Sequence, residues 1–209
     1  MLSICTLKSS SQASQYYQSE NYYSQDGEAG YSQWLGKGSE KLGLEGPVNE
    51  QDFKNLLDGH NQTGNKLIQG TNGKNHRPGY DLTFSAPKSV SILGIVGDDK
   101  RVMEAHRNAV KKVISSIESE FAAYRAKNKG LVNIEKTGNF VVAAFEHIDS
   151  RALDPNLHTH CVLMNLTQRA DGAWRTVFGD ELYNNKLLNG MQYRAFLAEE
   201  LMQKGFNVV

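Results

Sequence analysis

This chain of 209 residues has no net charge, only two cysteines and no long apolar run. The 23 basic and 23 acidic side chains cancel, so the overall charge does not indicate nucleic acid as a partner. Cys5 and Cys161 lie in apolar, strand-like runs, and we interpret them as buried thiols of a reducing compartment; a disulfide is the unsupported alternative. No apolar run is long enough to span a membrane, and residues 1–7 do not resemble a signal peptide. We therefore expect one soluble domain with its own core and no membrane insertion.

The charges are unevenly distributed along the chain. Residues 70–112 carry eight basic and four acidic side chains, whereas residues 1–69 carry five basic and eight acidic ones. Most such clusters are solvated faces, but this segment, which includes Arg77 and Lys88, is also weak evidence for phosphate contacts.

Sequence patterns predict an alternation of strands and helices. Residues 24–80 are polar and glycine-rich, and we expect loops with short helices there. A loop region of this length within a compact domain is uncommon unless it is functional. The predicted strands are 2–7, 80–84, 139–147, 157–164 and 173–177, with the beginning of another at 206–209. The predicted helices are 12–19, one near 49–57, a long helix capped by Asp98 and Asp99 that ends at about Lys127, and 182–204 with Gly190 as a weak point.

Three histidines are predicted to converge on two of these strands. His158 and His160 alternate along one strand, so both side chains lie on the same face. The preceding strand ends in His147, and the short connection between residues 148 and 156 places the two strands antiparallel and adjacent. Three neutral imidazoles with a position left open for a substrate are typical of a catalytic metal site. Surface histidines without a ligand role remain the alternative.

Other polar residues lie beside this predicted site. We expect Asp81, inside the strand 80–84, to need a cationic or N–H partner and to act as a base or as a support for a histidine. The loop that contains Lys88 opens a short helix, a favourable place for a phosphate. His106 falls on the buried stripe of the long helix, and His60 and His76 lie in loops, so we assign none of these three to the metal.

Two tyrosine doublets occur near the start of the chain, Tyr16–Tyr17 and Tyr22–Tyr23. Adjacent residues of a helix point about 100° apart, so both members of the first doublet cannot be buried in one stripe. Aromatic packing is the ordinary explanation of such doublets.

These features together resemble the N-terminal domain of MobF-type, F-plasmid-like conjugative relaxases, which are histidine–hydrophobe–histidine endonucleases. The resemblance is carried by the tyrosine doublets, by residues 79–91 (GYDLTFSAPKSVS) and by residues 157–160 (LHTH), and it covers essentially the whole chain. One departure is Thr159, because the family name implies an apolar residue between the two histidines.

The resemblance implies an α+β fold, an antiparallel sheet flanked by helices in a permuted nucleic-acid-recognition palm. It also implies strand-specific nicking of single-stranded transfer-origin DNA, in which a tyrosine forms a 5′-phosphotyrosyl link and releases a 3′-hydroxyl. By family position Tyr16 is the first nucleophile, and Tyr17, Tyr22 and Tyr23 are candidates for a second transfer. Asp81 is expected to assist the three metal-binding histidines.

Further expectations follow from the same resemblance. The cofactor is one divalent ion, Mg²⁺ or Mn²⁺, although three imidazoles alone would also suit zinc, copper or nickel. The expected partners are relaxosome accessory proteins and a type IV coupling protein, and the expected location is the cytoplasm, with transfer into the recipient cell. Residues 1–209 are expected to be a relaxase domain that lacks its C-terminal part. A rolling-circle replication endonuclease, a small-substrate metallohydrolase and a binding module with a structural metal are the alternatives.

Overall fold

A five-stranded antiparallel sheet forms the centre of the structure, with strand order β1-β3-β7-β6-β2. The computed structural model describes residues 1–11, 13, 31–68, 77–128, 130–150 and 152–208. The strands are β1 Leu2–Thr6, β2 Ser32–Leu35, β3 Gly79–Ser85, β4 Ala123–Asn128, β5 Leu131–Lys136, β6 Val142–Asp149, β7 Pro155–Met164, β8 Thr167–Gln168 and β9 Trp174–Arg175. The helices are α1 Lys37–Lys41, α2 Glu50–Leu57, α3 Lys88–Ser91, α4 Lys100–Phe121, α5 Asp180–Asn184 and α6 Lys186–Gln203, and α3 continues as a π-helical segment, Ile92–Val96. The predicted α+β class is confirmed.

The central sheet has two different faces because side chains alternate along each strand. On what we call the helix face, Leu157, Cys161 and Leu163 of β7 pack with the apolar stripes of α4 and α6. On the opposite face, which we call the site face, Val162 and Met164 pack with the apolar side of α2. The histidines of β7 alternate with Leu157 and Cys161 and therefore share the site face. No helix within the described ranges combines the length and apolar composition that crossing a bilayer requires.

Helix α4 begins as predicted but ends earlier. Asp99 is its N-cap and accepts a hydrogen bond from the backbone N–H of Arg101, which satisfies a donor that the first turn leaves unpaired. The predicted end near Lys127 is wrong, because the helix stops at Phe121 and residues 123–128 form β4. Pairing with β5 satisfies the backbone groups of this segment, and this tertiary contact overrides its local helix propensity.

The C-terminal helical region also differs from the prediction. The break lies at Asn185, between α5 and α6, and not at Gly190. The side-chain amide of Asn185 donates to the backbone oxygen of Glu181, a local bond that competes with helix continuation. Gly205 ends the helix with φ at 86°, as the C-cap pattern predicts. The strand predicted from residue 206 is absent from the described residues Phe206–Val208.

Several smaller predictions have mixed outcomes. Strand β1 and helix α2 are confirmed. The strand predicted at 173–177 is limited to β9, which pairs with β8, and β2 and β5 were not predicted. Cys161 is buried as expected, but Cys5 is exposed, and both thiols are free. The predicted helix 12–19 lies outside the described residues, except for Ala13.

Candidate active site

The three histidines predicted as metal ligands converge on the site face. His147 of β6 and His158 of β7 are a directly opposed cross-strand pair, and His160 lies opposite Phe145, two residues further along β7. The ring centroids are separated by 5.2 Å for His147–His158, 5.1 Å for His147–His160 and 5.1 Å for His158–His160. The antiparallel register of β6 and β7 therefore produces the cluster, as the strand pattern predicts.

Two of the rings are oriented through their Nδ1 atoms. Nδ1 of His160 lies 2.8 Å from Oδ2 of Asp81, and Nδ1 of His158 lies 2.7 Å from the backbone oxygen of Asn156. Because these oxygens can only accept hydrogen bonds, each Nδ1 is the donor, and in the neutral form of each ring the lone pair lies on Nε2. An acceptor at Nδ1 is the usual support of a metal-binding histidine. This geometry makes Nε2 the available donor atom in both residues.

His147 is half-buried, less enclosed than His160, yet its pKa is strongly lowered. Burial, with smaller contributions from the nearby His160 and His158, lowers the pKa of His147 to about 3, while Asp81 opposes the shift. The ring is therefore neutral at neutral pH, which is the form that binds metal ions. The register of β6 against β7 shifts between His147 and Asp149, and such irregularities are frequent beside functional sites.

Asp81 supports the site from the neighbouring strand β3. Its side chain is buried, and the hydroxyl of Thr83 lies 3.3 Å from each carboxylate oxygen and 3.2 Å from Nδ1 of His160. The register places Thr83 opposite His160 on β7. Thr83 was not predicted as a site residue, although its alternation with Asp81 along β3 was visible in the sequence.

The donor set fits a metal ion by type, number and ring spacing. The centre of the triangle formed by the ring centroids lies about 3 Å from each centroid, roughly what a metal–nitrogen bond of about 2.0–2.1 Å requires. As the side chains stand, however, no group of three or more His, Cys, Asp or Glu residues in the described ranges is arranged to hold an ion. The strands thus bring the three rings together, but their present positions do not form a complete ligand set.

The two basic residues predicted to contact DNA lie at different ends of the sheet. The Nζ atom of Lys88 donates to the backbone oxygen of Pro155 at 2.9 Å, near the end of β7 that carries the histidines. Arg77 precedes β3 at the opposite end, and its guanidinium donates to the hydroxyl of Tyr80 at 2.7 Å. Thr83 is six positions beyond Arg77, roughly 20 Å along a strand. Lys88 is thus near the candidate site and Arg77 is remote from it.

The four tyrosines predicted as nucleophiles, Tyr16, Tyr17, Tyr22 and Tyr23, lie outside the described residues. The described residues on either side of them contact the sheet. Ala13 is buried in the apolar cluster on the site face, and the backbone oxygen of Tyr31 accepts from the backbone N–H of Glu146 at 2.9 Å. Both flanks of the tyrosine-containing segment are therefore attached to the sheet, one of them directly beside His147.

An antiparallel sheet with three histidines and a supporting aspartate on one face agrees with the class indicated by the sequence motifs. The TrwC relaxase family model matches residues 10–209, so the chain belongs to this family. It is 39% identical over 216 residues to the multifunctional conjugation protein TraI of Escherichia coli (strain K12), an alignment that covers 99% of this chain and 12% of that protein. The chain thus spans about an eighth of the length of the curated relatives that it matches.

Solved structures give the same relationship. Conjugative relaxase TrwC in complex with oriT DNA, in a metal-bound structure, has a TM-score of 0.88 and 39% identity, and the match covers 100% of this chain and 72% of that one. A copper-bound complex of TrwC with oriT DNA gives a TM-score of 0.88 and 39% identity with the same coverage. A structure concerned with vancomycin resistance transfer in Staphylococcus aureus, with 14% identity and a TM-score of 0.52, shares the fold alone.

Proposed function

We propose that this chain is a conjugative relaxase domain, which cleaves one strand of transfer-origin DNA by tyrosine transesterification. The observation that carries the proposal is the convergence of His147, His158 and His160 on one face, with Asp81 bonded to His160. The chain belongs to a family whose solved member TrwC was captured with oriT DNA and with metal. Site chemistry and family membership thus support the same reaction.

In the proposed reaction, a tyrosine hydroxyl oxygen attacks the scissile phosphorus. The bond from phosphorus to the 3′ oxygen breaks, the 5′-phosphate stays on the tyrosine, and the 3′ oxygen leaves with a proton as a hydroxyl. The number of phosphoester bonds is conserved, so the step reverses without ATP. A phenol has a pKa near 10 and needs activation before it attacks.

Tyr16 is the proposed first nucleophile, and Tyr17, Tyr22 and Tyr23 are the candidates for the second transfer. Support comes from the flanks of their segment, because Ala13 is buried on the site face and Tyr31 is bonded to Glu146, which directly precedes His147. These described flanks place the two ends of the tyrosine-containing segment on the sheet that carries the histidines.

The three histidines are the proposed ligands of one divalent ion. When bound, such an ion neutralises negative charge that develops on a non-bridging phosphate oxygen. The family resemblance favours Mg²⁺ or Mn²⁺, whereas three nitrogen donors also suit zinc, copper or nickel. Calorimetric titration of the metal-free protein with each ion in turn identifies the preferred one.

Asp81 has a proposed positioning role. Its carboxylate accepts from Nδ1 of His160 and is buried, so it fixes the tautomer and the orientation of that ring. This contact favours support of a metal-binding histidine over direct acceptance of the tyrosine proton.

Of the proposed DNA contacts, Lys88 is near the histidines and could bind a phosphate close to the cleavage position, whereas Arg77 could contact only a more distant part of the strand. Binding of relaxosome accessory proteins and of a coupling protein stays a prediction.

A covalent-adduct assay tests this function. The wild-type chain is incubated with Mn²⁺ and a single-stranded oligonucleotide that carries the hairpin and cleavage site of its own transfer origin, and the mixture is resolved on a denaturing gel. We expect a slower band that disappears with Tyr16→Phe and persists with Tyr183→Phe, a control tyrosine whose hydroxyl bonds Thr6 at the end of β1.

The alternatives give different results in the same assay. Hydrolysis of a small phosphodiester without an adduct would indicate a metallohydrolase, and metal binding without any cleavage would indicate a structural metal. An adduct that survives Tyr16→Phe and is lost with Tyr22→Phe or Tyr23→Phe would show that the roles of the tyrosines are assigned wrongly.

A further inference from the structure

A polar network, buried except for the partly exposed Arg107, lies on the helix face directly behind the three histidines. We call it the rear network, and its residues are His106 and Arg107 of α4, Glu146 of β6, Thr159 of β7 and Tyr193 of α6. His106 lies between two hydroxyls, with Nε2 2.8 Å from Oγ1 of Thr159 and Nδ1 2.7 Å from the hydroxyl of Tyr193. His106 and Tyr193 have no exposed surface, and Thr159 is 4% exposed.

Arg107, the next residue of α4, contacts the neighbouring strand. Its guanidinium donates to both carboxylate oxygens of Glu146, at 2.9 and 2.6 Å, a two-point geometry that fixes orientation as well as distance. The guanidinium also lies 4.0 Å from the ring centroid of Tyr31. Consecutive helix residues point about 100° apart, which allows His106 to contact β7 while Arg107 contacts β6.

The two strand residues of this network are directly related to the histidines. Glu146 and Thr159 are opposed in the register of β6 and β7. Glu146 immediately precedes His147, and Thr159 lies between His158 and His160. Since neighbouring residues on a strand face opposite sides, the rear network contacts the same short backbone stretch as the histidines without entering the site face.

Burying polar groups this deeply in the protein costs free energy. A buried imidazole or carboxylate is tolerated only when its partners are present, and an apolar residue at position 159 would fill the same space without that requirement. Burial lowers the pKa of His106 to about 3, so the ring is neutral and one of the two hydroxyls must donate to it while the other accepts. In either imidazole tautomer, such a network holds the non-hydrogen atoms of its members in the same positions.

We propose that the rear network positions the metal ligands. The contact between His106 and Thr159 fixes the distance of β7 from α4 and thereby the position of His158 and His160. The contact between Arg107 and Glu146 does the same for β6 and His147. Metal sites tolerate deviations of only about 0.2 Å in ligand distance, so small displacements of either strand matter. Thr159, which departs from the apolar residue implied by the family name, is thus the attachment point of β7 to α4. This inference rests on the proposed function, because positioning matters only if the histidines bind a metal ion. Its main test, however, uses the metal-free protein.

The test compares Thr159→Val, which keeps the shape and removes the hydroxyl, with Thr159→Ser, which keeps the hydroxyl. The first measurement is the imidazole nitrogen NMR spectrum of the metal-free protein. We expect Thr159→Val to change the signals of His158 and His160, and Thr159→Ser to restore them. Glu146→Gln should change mainly the signal of His147. This strand-specific pattern distinguishes positioning from a general loss of stability, and Glu146→Gln keeps the test available if Thr159→Val does not fold.

The matched control is Ile117→Val, a core substitution on the same helix, ten residues from Arg107. We expect it to lower Tm and to leave the imidazole signals unchanged. The second measurement is titration with Cu²⁺ followed by electron paramagnetic resonance, in which Thr159→Val should weaken binding by about 10-fold, as the loss of a supporting residue does elsewhere.

Wild-type imidazole signals in both Thr159→Val and Glu146→Gln would overturn the inference, and so would equal changes in Ile117→Val. If the wild-type protein binds no Cu²⁺ or other divalent ion, the metal part of the proposed function fails, whereas the NMR comparison still decides whether the rear network positions the histidines.

Discussion

Replacement of Asp81 by asparagine removes one charge from the site while it leaves the side-chain size almost unchanged. The carboxylate lies 2.8 Å from Nδ1 of His160, and the side chains are only 7% and 10% exposed. A hydrogen bond to a charged group contributes roughly 1.5–3 kcal/mol. Since each 1.4 kcal/mol corresponds to about a factor of ten, we expect metal affinity to fall by about 10–100-fold, the range found for lost supporting partners.

Isothermal titration of the metal-free protein with Mn²⁺ measures this effect. Asp81→Asn should retain one binding site per chain with weakened affinity, and its rate of DNA cleavage should fall. The matched control is Asp171→Asn, because that carboxylate is half exposed and pairs with Arg169 on the β8–β9 hairpin. Wild-type metal affinity together with wild-type cleavage in Asp81→Asn would refute the positioning role of this carboxylate.

Three further predictions concern ligand identity, acid stability and strand packing. His158→Ala should abolish stoichiometric metal binding, and unchanged calorimetric binding would exclude the three-histidine site. Burial lowers the pKa of both His147 and His106 to about 3, so below pH 6.5 the unfolded chain binds protons that the folded chain does not; stability should fall with decreasing pH, by up to about 1.4 kcal/mol per pH unit for each histidine. Urea unfolding of the metal-free protein at pH 7 and pH 5 checks this slope, and equal stability at both values would contradict it. Gly79→Ala should disturb the pairing of β3 with β7, because the added Cβ would lie 2.2 Å from the backbone oxygen of Leu163; a wild-type melting temperature would show that the strands separate there at little cost.

The parts of the site that the sequence predicts are those encoded by local periodicity. The alternation of His158 and His160 determines their shared face, and the ten residues between His147 and His158 leave room only for a short antiparallel connection. Asp81 could be placed near the histidines because an acid within a strand requires a partner. The apolar stripe of α4 likewise predicted that His106 is buried, which is confirmed.

The parts that the sequence does not predict depend on contacts between distant segments. Thr159 and Tyr193 bond His106 across 53 and 87 residues of sequence, so no local pattern indicates the rear network. Similarly, α4 ends at Phe121 because the following residues pair with β5, a choice that the helix propensity of residues 123–128 does not reveal. Arg77 and Lys88 belong to one basic segment of the sequence, but β3 lies between them and places them at opposite ends of the sheet.

The most direct test of the proposed function is to identify the residue that becomes linked to DNA. The wild-type adduct, formed with a hairpin-containing origin oligonucleotide and Mn²⁺, is digested with nuclease and protease and analysed by tandem mass spectrometry. We predict a nucleotide attached through its 5′-phosphate to Tyr16, with a free 3′-hydroxyl on the released strand. Attachment to a residue other than the four tyrosines at positions 16, 17, 22 and 23, or cleavage that leaves no covalently bound nucleotide, would contradict tyrosine transesterification by this chain.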